Sequence, residues 1–514
     1  MKYAVDSKGM KKIDNYAVEV IKIPALVLME RAAAEVAAVM KRWIKKTDRI
    51  LAVCGSGNNG GDGIAVGRIL SLQGYQVAIL FIGDEQKITD QTKVQLDIAR
   101  NLGITIENNK LHEYNIIIDA IFGIGLSRPI TGEQADIIND INRYDNLVFS
   151  VDIPSGISSD NGRIMNTAVK ANHTITFGYQ KQGLLLYPGA EYAGEITVAD
   201  IGFPEVAMRQ TESNTFYYEK EDLMKLPIRK NNSHKGTFGK VLIIAGSKGM
   251  SGAAYLSAKA AYKTGAGLVK IISSSENRVI LQTQLPEALF GDYDREGHDL
   301  KEWEKELQAS LSWASVIVIG SGLGQSETAE QLLGFVISHA KVPVIIDADG
   351  LNMLSGRLDG LSSEVNSRLA SLTEMLQEQT ILTPHLKELS RLIGIPVSEI
   401  LGNMIDTADQ CSYNNKLIYA MKDARTVVTQ YDSKYINLSG NNGMATGGSG
   451  DALTGMIAGL IAQGLKPYEA SCLAVYIHGL AGDYAAGEKG TYSLMAGDIV
   501  ESIEKVIRNN LGKA

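Results

Sequence analysis

Cysteine is scarce in this chain, with three residues in 514 (Cys54, Cys411 and Cys472). That is too few for a disulfide framework and is what a reducing, cytoplasmic compartment leads one to expect. A basic excess is missing as well. The net charge of -8 argues against nucleic acid or an anionic membrane as the main partner. No apolar run is long enough to span a bilayer, because the best candidate, Ala25 to Met40, is broken by Glu30, Arg31 and Glu35. Lys2, Asp6, Lys8, Lys11 and Lys12 leave no room for the apolar segment of a secretion signal. Fixed-period repeats and low-complexity tracts are also lacking. What is present is ordinary globular composition, 45% hydrophobic and 21% charged, with 52 glycines against 11 prolines. That ratio points to an α/β enzyme with many tight strand-to-helix turns. At roughly 150 residues per domain the length suits two to four domains, each able to bury a core without a staple.

The hydrophobic pattern alternates between short β-rich runs and helical stretches. A helical pattern covers Lys11 to Trp43. Strands are then expected over Ile50–Cys54, Tyr75–Phe81, Ile116–Asp119 and Leu147–Asp152, and such alternation predicts βαβ units and a mainly parallel sheet. Polar residues dominate from Phe203 to Asn232, which reads as a connection. The alternation then restarts with Lys240–Gly246, Leu268–Ser273, Val316–Gly320 and Val342–Asp347, and continues near Leu417–Met421 and Thr426–Gln430. Leu354 to Gln379 has the look of a helical insertion. Two three-layer α/β domains are expected, spanning 1–211 and 222–514. In parallel sheets ligands bind at the carboxyl ends of the strands, and the motifs fall there.

Gly55-Ser56-Gly57-Asn58-Asn59-Gly60 fits G-x-G-x-x-G after a strand, with Asp84 at the next strand end, where a ribose-binding acid would sit. A tight glycine turn without a ligand would give the same pattern. The extension through Gly61-Asp62-Gly63 is more specific, since two amides and a carboxylate in a glycine turn pack poorly but bind well. Backbone N–H groups at a helix start hold phosphate, and Asn59 offers an oxygen to a cation. A second strand ends at Asp119 and runs into Gly123-Ile124-Gly125-Leu126-Ser127-Arg128-Pro129, and a third ends in Asp152-Ile153-Pro154-Ser155-Gly156. Asn59, Asp119 and Ser155 form an oxygen-only set with one formal charge, suited to a monovalent or weakly held cation; Asp152 is a spare carboxylate. Helix capping is the other reading of Asp119 and Asp152. Together NNGGDG, DAIFGIGLSRPITGE and SVDIPSG resemble the NAD(P)H-hydrate epimerase domain of the YjeF N-terminal type. The resemblance implies a Rossmann-like fold. It also implies hydrate binding by Asn58, Asn59, Gly60, Gly61, Asp62, the Gly123–Pro129 loop and Asp152, and potassium held by Asn59, Asp119 and Ser155. Asp152 is the expected acid–base group, moving a proton on or off the hydrate's hydroxyl.

The second half carries the sharpest signal, Asn442-Gly443-Met444-Ala445-Thr446-Gly447-Gly448-Ser449-Gly450-Asp451 before an apolar helix. Glycines leading into a helix N-terminus make an anion hole. Asp451 is placed either to take a hydroxyl proton or merely to cap the helix. No Walker A sequence occurs. With HKGTFGKVLIIAGS, DADGLN and TPHLKEL, this constellation resembles the ribokinase-like ADP/ATP-dependent NAD(P)H-hydrate dehydratase. The resemblance implies that Ala253, Gly324, His385 and Asp451 contact the hydrate, and that Gly450 and Lys422, Asp423, Ala424, Arg425 and Thr426 contact the nucleotide. Asp423 and Arg425 stand where the family usually has glycines, so Asp423 adds a negative charge near the expected phosphates, which Arg425 would offset. His385 can also be read as a capped surface residue; His478 and His173 read as structural.

Joined, the halves imply metabolite repair. One site interconverts R and S hydrates; the other phosphorylates the hydroxyl from ADP or ATP, with magnesium, so that phosphate departs. A ribokinase-type small-molecule kinase with a non-catalytic first domain is the alternative. Small molecules are the expected partners, with no nucleic acid and no membrane, and the chain is expected to form a homo-oligomer.

Overall fold

Runs dense in Ile, Val and Leu build two parallel sheets, and the turns that end their strands lead into covering helices. The computed structural model describes residues 1–514 except 108–110, 212, 295–299, 360–363, 414–415 and 511–514. The chain forms two compact units, Tyr3–Thr215 and Phe216–Ala514, the second also taking in Met1–Lys2.

In the first unit the strands are β1 (Arg49–Cys54), β2 (Gln76–Phe81), β3 (Thr105–Ile106), β4 (Ile116–Ala120), β5 (Leu147–Val151), β6 (His173–Phe177) and β7 (Glu195–Ala199). Their order is β3-β2-β1-β4-β5-β6-β7, with every neighbouring pair parallel. The chain winds outward from β1 to β3 and then returns to place β4 on the other side of β1. The carboxyl ends of β1 and β4 therefore flank the switch point at which such sheets bind ligands. Alternate residues of β1 serve opposite faces: Ile50 and Ala52 pack with Leu28, Val36 and Ile64, whereas Leu51 and Val53 pack with Ile137, Ile138 and Ile141.

The helical pattern of Lys11–Trp43 is not one helix. It divides into α1 (Ser7–Asn15), a wide turn over Tyr16–Val20, and α2 (Ala25–Met40). Pro24 is the N-cap of α2, a position that needs no backbone N–H. Three further helices follow, α3 (Asn58–Leu72), α4 (Asp90–Asn101) and α5 (Glu133–Arg143). Arg68 of α3 joins α2 and α4 through Glu30 (2.5 and 2.6 Å) and Gln95 (3.2 Å). The polar stretch read as a connection carries structure of its own, a short helix over Glu205–Met208 and a strand over Thr215–Tyr217. The strand is buried, with Phe216, Tyr218 and Leu223 in the core of the second unit.

The second unit contains β8 (Lys240–Ile244), β9 (Leu268–Ser273), β10 (Leu289–Asp292), β11 (Val316–Ile319), β12 (Val344–Ile346), β13 (Ile381–Leu382), β14 (Ile418–Met421), β15 (Val427–Gln430) and β16 (Ser433–Ile436). The order runs β10-β9-β8-β11-β12-β13-β14-β15-β16, parallel as far as β14 and antiparallel beyond it. Helices α6 (Ser251–Thr264) and α7 (Ser449–Ala462) cross at close range because of two glycines. A Cβ on Gly455 would lie 2.0 Å from the Ser257 carbonyl oxygen, and one on Gly459 would lie 2.8 Å from that of Ala261. The expected insertion contains the end of a helix over Asp349–Leu358 and a second over Val365–Met375; its residues 360–363 lie outside the described residues. Among the described residues no helix is long and apolar enough to cross a membrane.

Candidate active sites

A cavity of about 800 Å³ opens in the first unit. The start of α3 forms one wall. This helix is capped by Gly57 and begins at Asn58, so NNGGDG is its first turns and not a loop before it. Gly60 and Gly63 are packing glycines: a Cβ would lie 1.9 Å from the Gly55 carbonyl oxygen in the first case and 2.3 Å from the Ala120 Cβ in the second. They seat α3 on the sheet, and the Gly60 N–H is itself used, donating to the Gly57 carbonyl at 2.9 Å. Gly57 has no atom within 4 Å of such a Cβ and lines the cavity. The wall includes Asn58, Asn59 and Asp62, the residues Gly123 to Arg128, and Asp152. Gly60, Gly61, Pro129, Asp119 and Ser155 lie outside it.

Asp119 has no exposed surface. Its Oδ2 accepts from Ser150 Oγ (2.7 Å) and Ser155 N (2.8 Å), and its Oδ1 accepts from Ser155 Oγ (2.5 Å). Burial raises its pKa and these donors oppose the rise. Ser155 Oγ also accepts from the Phe122 N–H at 2.9 Å. The adjoining Gly123 is so close to Asn59 that a Cβ would lie 3.2 Å from its side chain. The buried Nδ2 of Asn59 has no hydrogen-bond partner.

Asp152 follows β5 with a left-handed backbone, φ 67°, strain of a kind that gathers at functional sites. Its Oδ1 accepts from Lys181 Nζ (2.6 Å), Thr176 Oγ1 (3.0 Å) and Phe177 N (3.4 Å). Lys181 is 0% exposed and also donates to Thr176 Oγ1 (2.8 Å) and the Phe177 carbonyl (3.0 Å), so all three ammonium protons are used. Sequence reasoning missed it. The available signal was a lysine in Gly178-Tyr179-Gln180-Lys181, just beyond the end of β6. It missed Asp14 too, which lies on α1 and lines the cavity. Burial raises Asp14 to about 6, with Lys181 opposing and Asp152 reinforcing the shift. Burial also lifts Asp62 well above the carboxylate range, helped by Asp152 and Asp14.

Asp84, where a ribose-binding acid was expected, is outside the cavity wall. It caps Gln86 N (3.0 Å) and pairs with Lys87 (3.2 Å). His173 stacks on Phe149 at 5.1 Å.

In the second unit the strand ends bring another group together. Lys422, at the end of β14, pairs with Asp347, at the end of β12, at 2.7 Å. The Lys422 N–H donates to the Pro384 carbonyl at 2.8 Å, which sets it beside His385. Gly450 admits this pair to the start of α7: a Cβ there would lie 3.1 Å from Lys422 Nζ and 3.7 Å from Asp347 Oδ2. Burial works against the Lys422 ammonium, but Asp347 and Glu388 hold its pKa above the usual lysine value. The N-cap of α7 is Gly448, with φ 90°, so Asp451 at the third helical position is not the cap. Burial and then Asp347 raise the Asp451 pKa, while Lys422 opposes the shift.

Ala253 abuts the turn after β11, where a Cβ on Gly322 would lie 2.9 Å from it; the Gly324 N–H donates to Asp349 Oδ2 at 2.8 Å. His385 is spent partly on structure. Its Nδ1 caps the helix Leu386–Ile393 by accepting from Lys387 N (3.1 Å) and Glu388 N (3.2 Å), and its half-exposed ring keeps Nε2 3.3 Å from Glu388. Asp423 to Thr426 form the turn between β14 and β15. Thr426 Oγ1 donates to the Asp423 carbonyl (3.3 Å) and Arg425 Nη1 to the Leu438 carbonyl (2.7 Å). Burial raises the Asp423 pKa, opposed by the Ala424 N–H. His478 is buried, with Nε2 3.4 Å from Ser449 Oγ, and burial lowers its pKa to about 4.

Two α/β units, each gathering charged side chains at its strand ends, define a protein with two candidate sites of the kind an enzyme uses. Residues 241–505 match the family model described as NAD(P)H-hydrate dehydratase, and residues 25–183 match that of the YjeF-related protein N-terminus. The chain belongs to the bifunctional NAD(P)H-hydrate repair enzyme family. It is 34% identical to the member from Thermofilum pendens, over 97% of this chain and 95% of that one. Against the Escherichia coli member the identity is 31%, over 97% and 92%. A ribokinase-like superfamily protein from Enterococcus faecalis is similar to the second unit, at 29% identity and TM-score 0.50, covering 58% of this chain and 96% of that one.

Proposed function

We propose that the first unit epimerises the R and S hydrates of NADH and NADPH, and that the second dehydrates the S form at the expense of ADP or ATP, releasing phosphate. The observation that carries the reading is the presence of two chemically different constellations on one chain. One is a buried Asp152–Lys181 pair in a cavity; the other is a lysine–aspartate pair at a helix N-terminus beside Asp451. In the first, Asp152 moves a proton at the hydrate's hydroxyl, while Asn58, Asn59, Asp62 and the Gly123–Arg128 loop hold the dinucleotide. Asn59, Asp119 and Ser155 would hold potassium. Their oxygen donors, with one formal negative charge among them on the buried Asp119, suit such an ion, which would supply a fixed positive charge beside the phosphate-binding turn.

In the second, Asp451 takes the hydroxyl proton as the phosphoryl group transfers. The Gly447–Gly450 amides and Lys422 then neutralise the developing charge. The C–O bond breaks with its electron pair on phosphate, and loss of a proton from the adjacent ring carbon restores the dihydronicotinamide. Ala253, Gly324 and His385 hold the hydrate, and Lys422 to Thr426 with Gly450 hold the nucleotide. Magnesium, held by the nucleotide's phosphates, would offset their negative charge. The chain acts in the cytoplasm on small molecules, as a homo-oligomer, without nucleic acid or membrane.

The test uses pure S hydrate with magnesium and either nucleotide. Phosphate and dihydronicotinamide should appear in equal amounts, and Asp451→Asn should lower the rate at least 100-fold. A stable phosphorylated hydrate would contradict the reading.

A further inference from the structure

The first cavity holds an ionisable group that this mechanism leaves unused. Asp14 lies on α1, upstream of residue 25 where the family match begins, yet it lines the same cavity as Asp152 and Lys181. We propose that Asp14 is the second proton-transfer group of epimerisation, protonating the departing hydroxyl while Asp152 receives the proton of the water that adds back. The inference rests on the epimerase reading above and extends it.

Inverting the hydroxylated carbon calls for two proton transfers. That carbon is bonded to the ring nitrogen, whose lone pair can form a C=N⁺ bond as the C–O bond breaks. The bonding pair leaves with oxygen, which takes a proton and departs as water. Water then adds to the other face, its oxygen supplying the new C–O pair, and surrenders a proton to a base. Atoms and charge balance, and the only other reactant is water. A single carboxyl would have to serve both faces of the ring; two carboxyls divide the task.

The two aspartates are differently committed. Oδ1 of Asp152 accepts from Lys181, Thr176 and Phe177, so that oxygen is fully engaged. Asp14 receives no hydrogen bond from any described residue, so its carboxyl is unspent in a polar cavity. Lys181, Asp152, Asp62, Lys11, Glu19 and Arg128 are the other ionisable groups lining this cavity. Their balance, with burial foremost, raises Asp14 to about 6, close to the operating pH, as a general acid requires.

The experiment uses full-length Asp14→Asn, Asp14→Glu and Asp152→Asn chains. Interconversion of the separated hydrates is followed without nucleotide, and dehydration of pure S hydrate reports on the integrity of the other unit. Asp14→Asn should lower kcat for epimerisation at least 100-fold, with KM changed less than about threefold. The wild type should lose kcat/KM as pH rises through about 6; Asp14→Glu should keep such a limb and Asp14→Asn should lack it. In ¹⁸O-water each inversion should bring in label. Epimerisation by Asp14→Asn within about threefold of the wild type, or inversion without label, would overturn the proposal. Should Asp152→Asn be inactive and Asp14→Asn active, only the role of Asp14 falls. Should the wild type fail to interconvert the hydrates, the epimerase reading falls with it.

Discussion

Lys181 carries its positive charge with no exposed surface, and Asp152 is its ion-pair partner. Removing one member of a buried pair leaves the other charge unpaired, a loss of about 3 kcal/mol or more. Lys181→Met should therefore lower urea stability by about that amount and abolish epimerisation. The Lys181→Met, Asp152→Asn double variant should recover much of the stability but none of the activity. Asp14 gives the opposite sign. Its pKa is about 6 in the folded chain against 3.8 for an ordinary aspartate. It therefore contributes stability below about pH 4 that is lost as pH rises through about 6. Asp14→Asn removes that loss, so its advantage over the wild type should grow between pH 4 and 7.5 to roughly 2 kcal/mol. Urea titrations at both ends would show it; a constant difference would contradict it. Neither residue stood out in the sequence, for different reasons. Lys181 sits in an ordinary-looking QKQG, and only its complete burial just beyond the end of β6 sets it apart. Asp14 is one polar residue among several on an amphipathic helix.

The elements themselves were largely legible. Runs of Ile, Val and Leu ending in glycine or aspartate fix β1, β4, β5, β8, β9 and β11 to within a residue or two of their expected limits, because buried parallel strands read as near-continuous apolar runs. His173–Phe177 and Glu195–Ala199 went unread, their apolar residues being diluted by Thr, His and Glu. The α1–α2 break was written in Ile23-Pro24 but masked by the helical spacing on either side. Close approach of elements was also hidden, since glycine in a helix looks merely unfavourable until its neighbour is seen. Gly455 is such a case: a Cβ would lie 2.0 Å from the Ser257 carbonyl oxygen. Gly455→Ala must push α6 and α7 apart, an overpacking loss of about 1–3 kcal/mol. It should slow dehydration, because α7 presents the anion site, and leave epimerisation at the wild-type rate.

At the scale of the molecule, each constellation is complete within its own unit. The cavity wall belongs wholly to Tyr3–Thr215, and the Asp347, His385, Lys422 and Asp451 group belongs to Phe216–Ala514. Separate sites predict a freely exchanging hydrate. An equimolar mixture of Asp152→Asn and Asp451→Asn chains should then restore both epimers, whereas Asp152→Asn alone should restore the S fraction at the enzymatic rate and the remainder only at the spontaneous rate. The central claim is tested most directly with the wild-type chain, mixed R and S hydrates of NADH, magnesium, and ADP or ATP. Dihydronicotinamide absorbance and phosphate release would be followed together. Complete recovery of both epimers is expected, with one phosphate released per ring restored. Recovery that stops at the S fraction, or a phosphorylated product that keeps its phosphate, would contradict it.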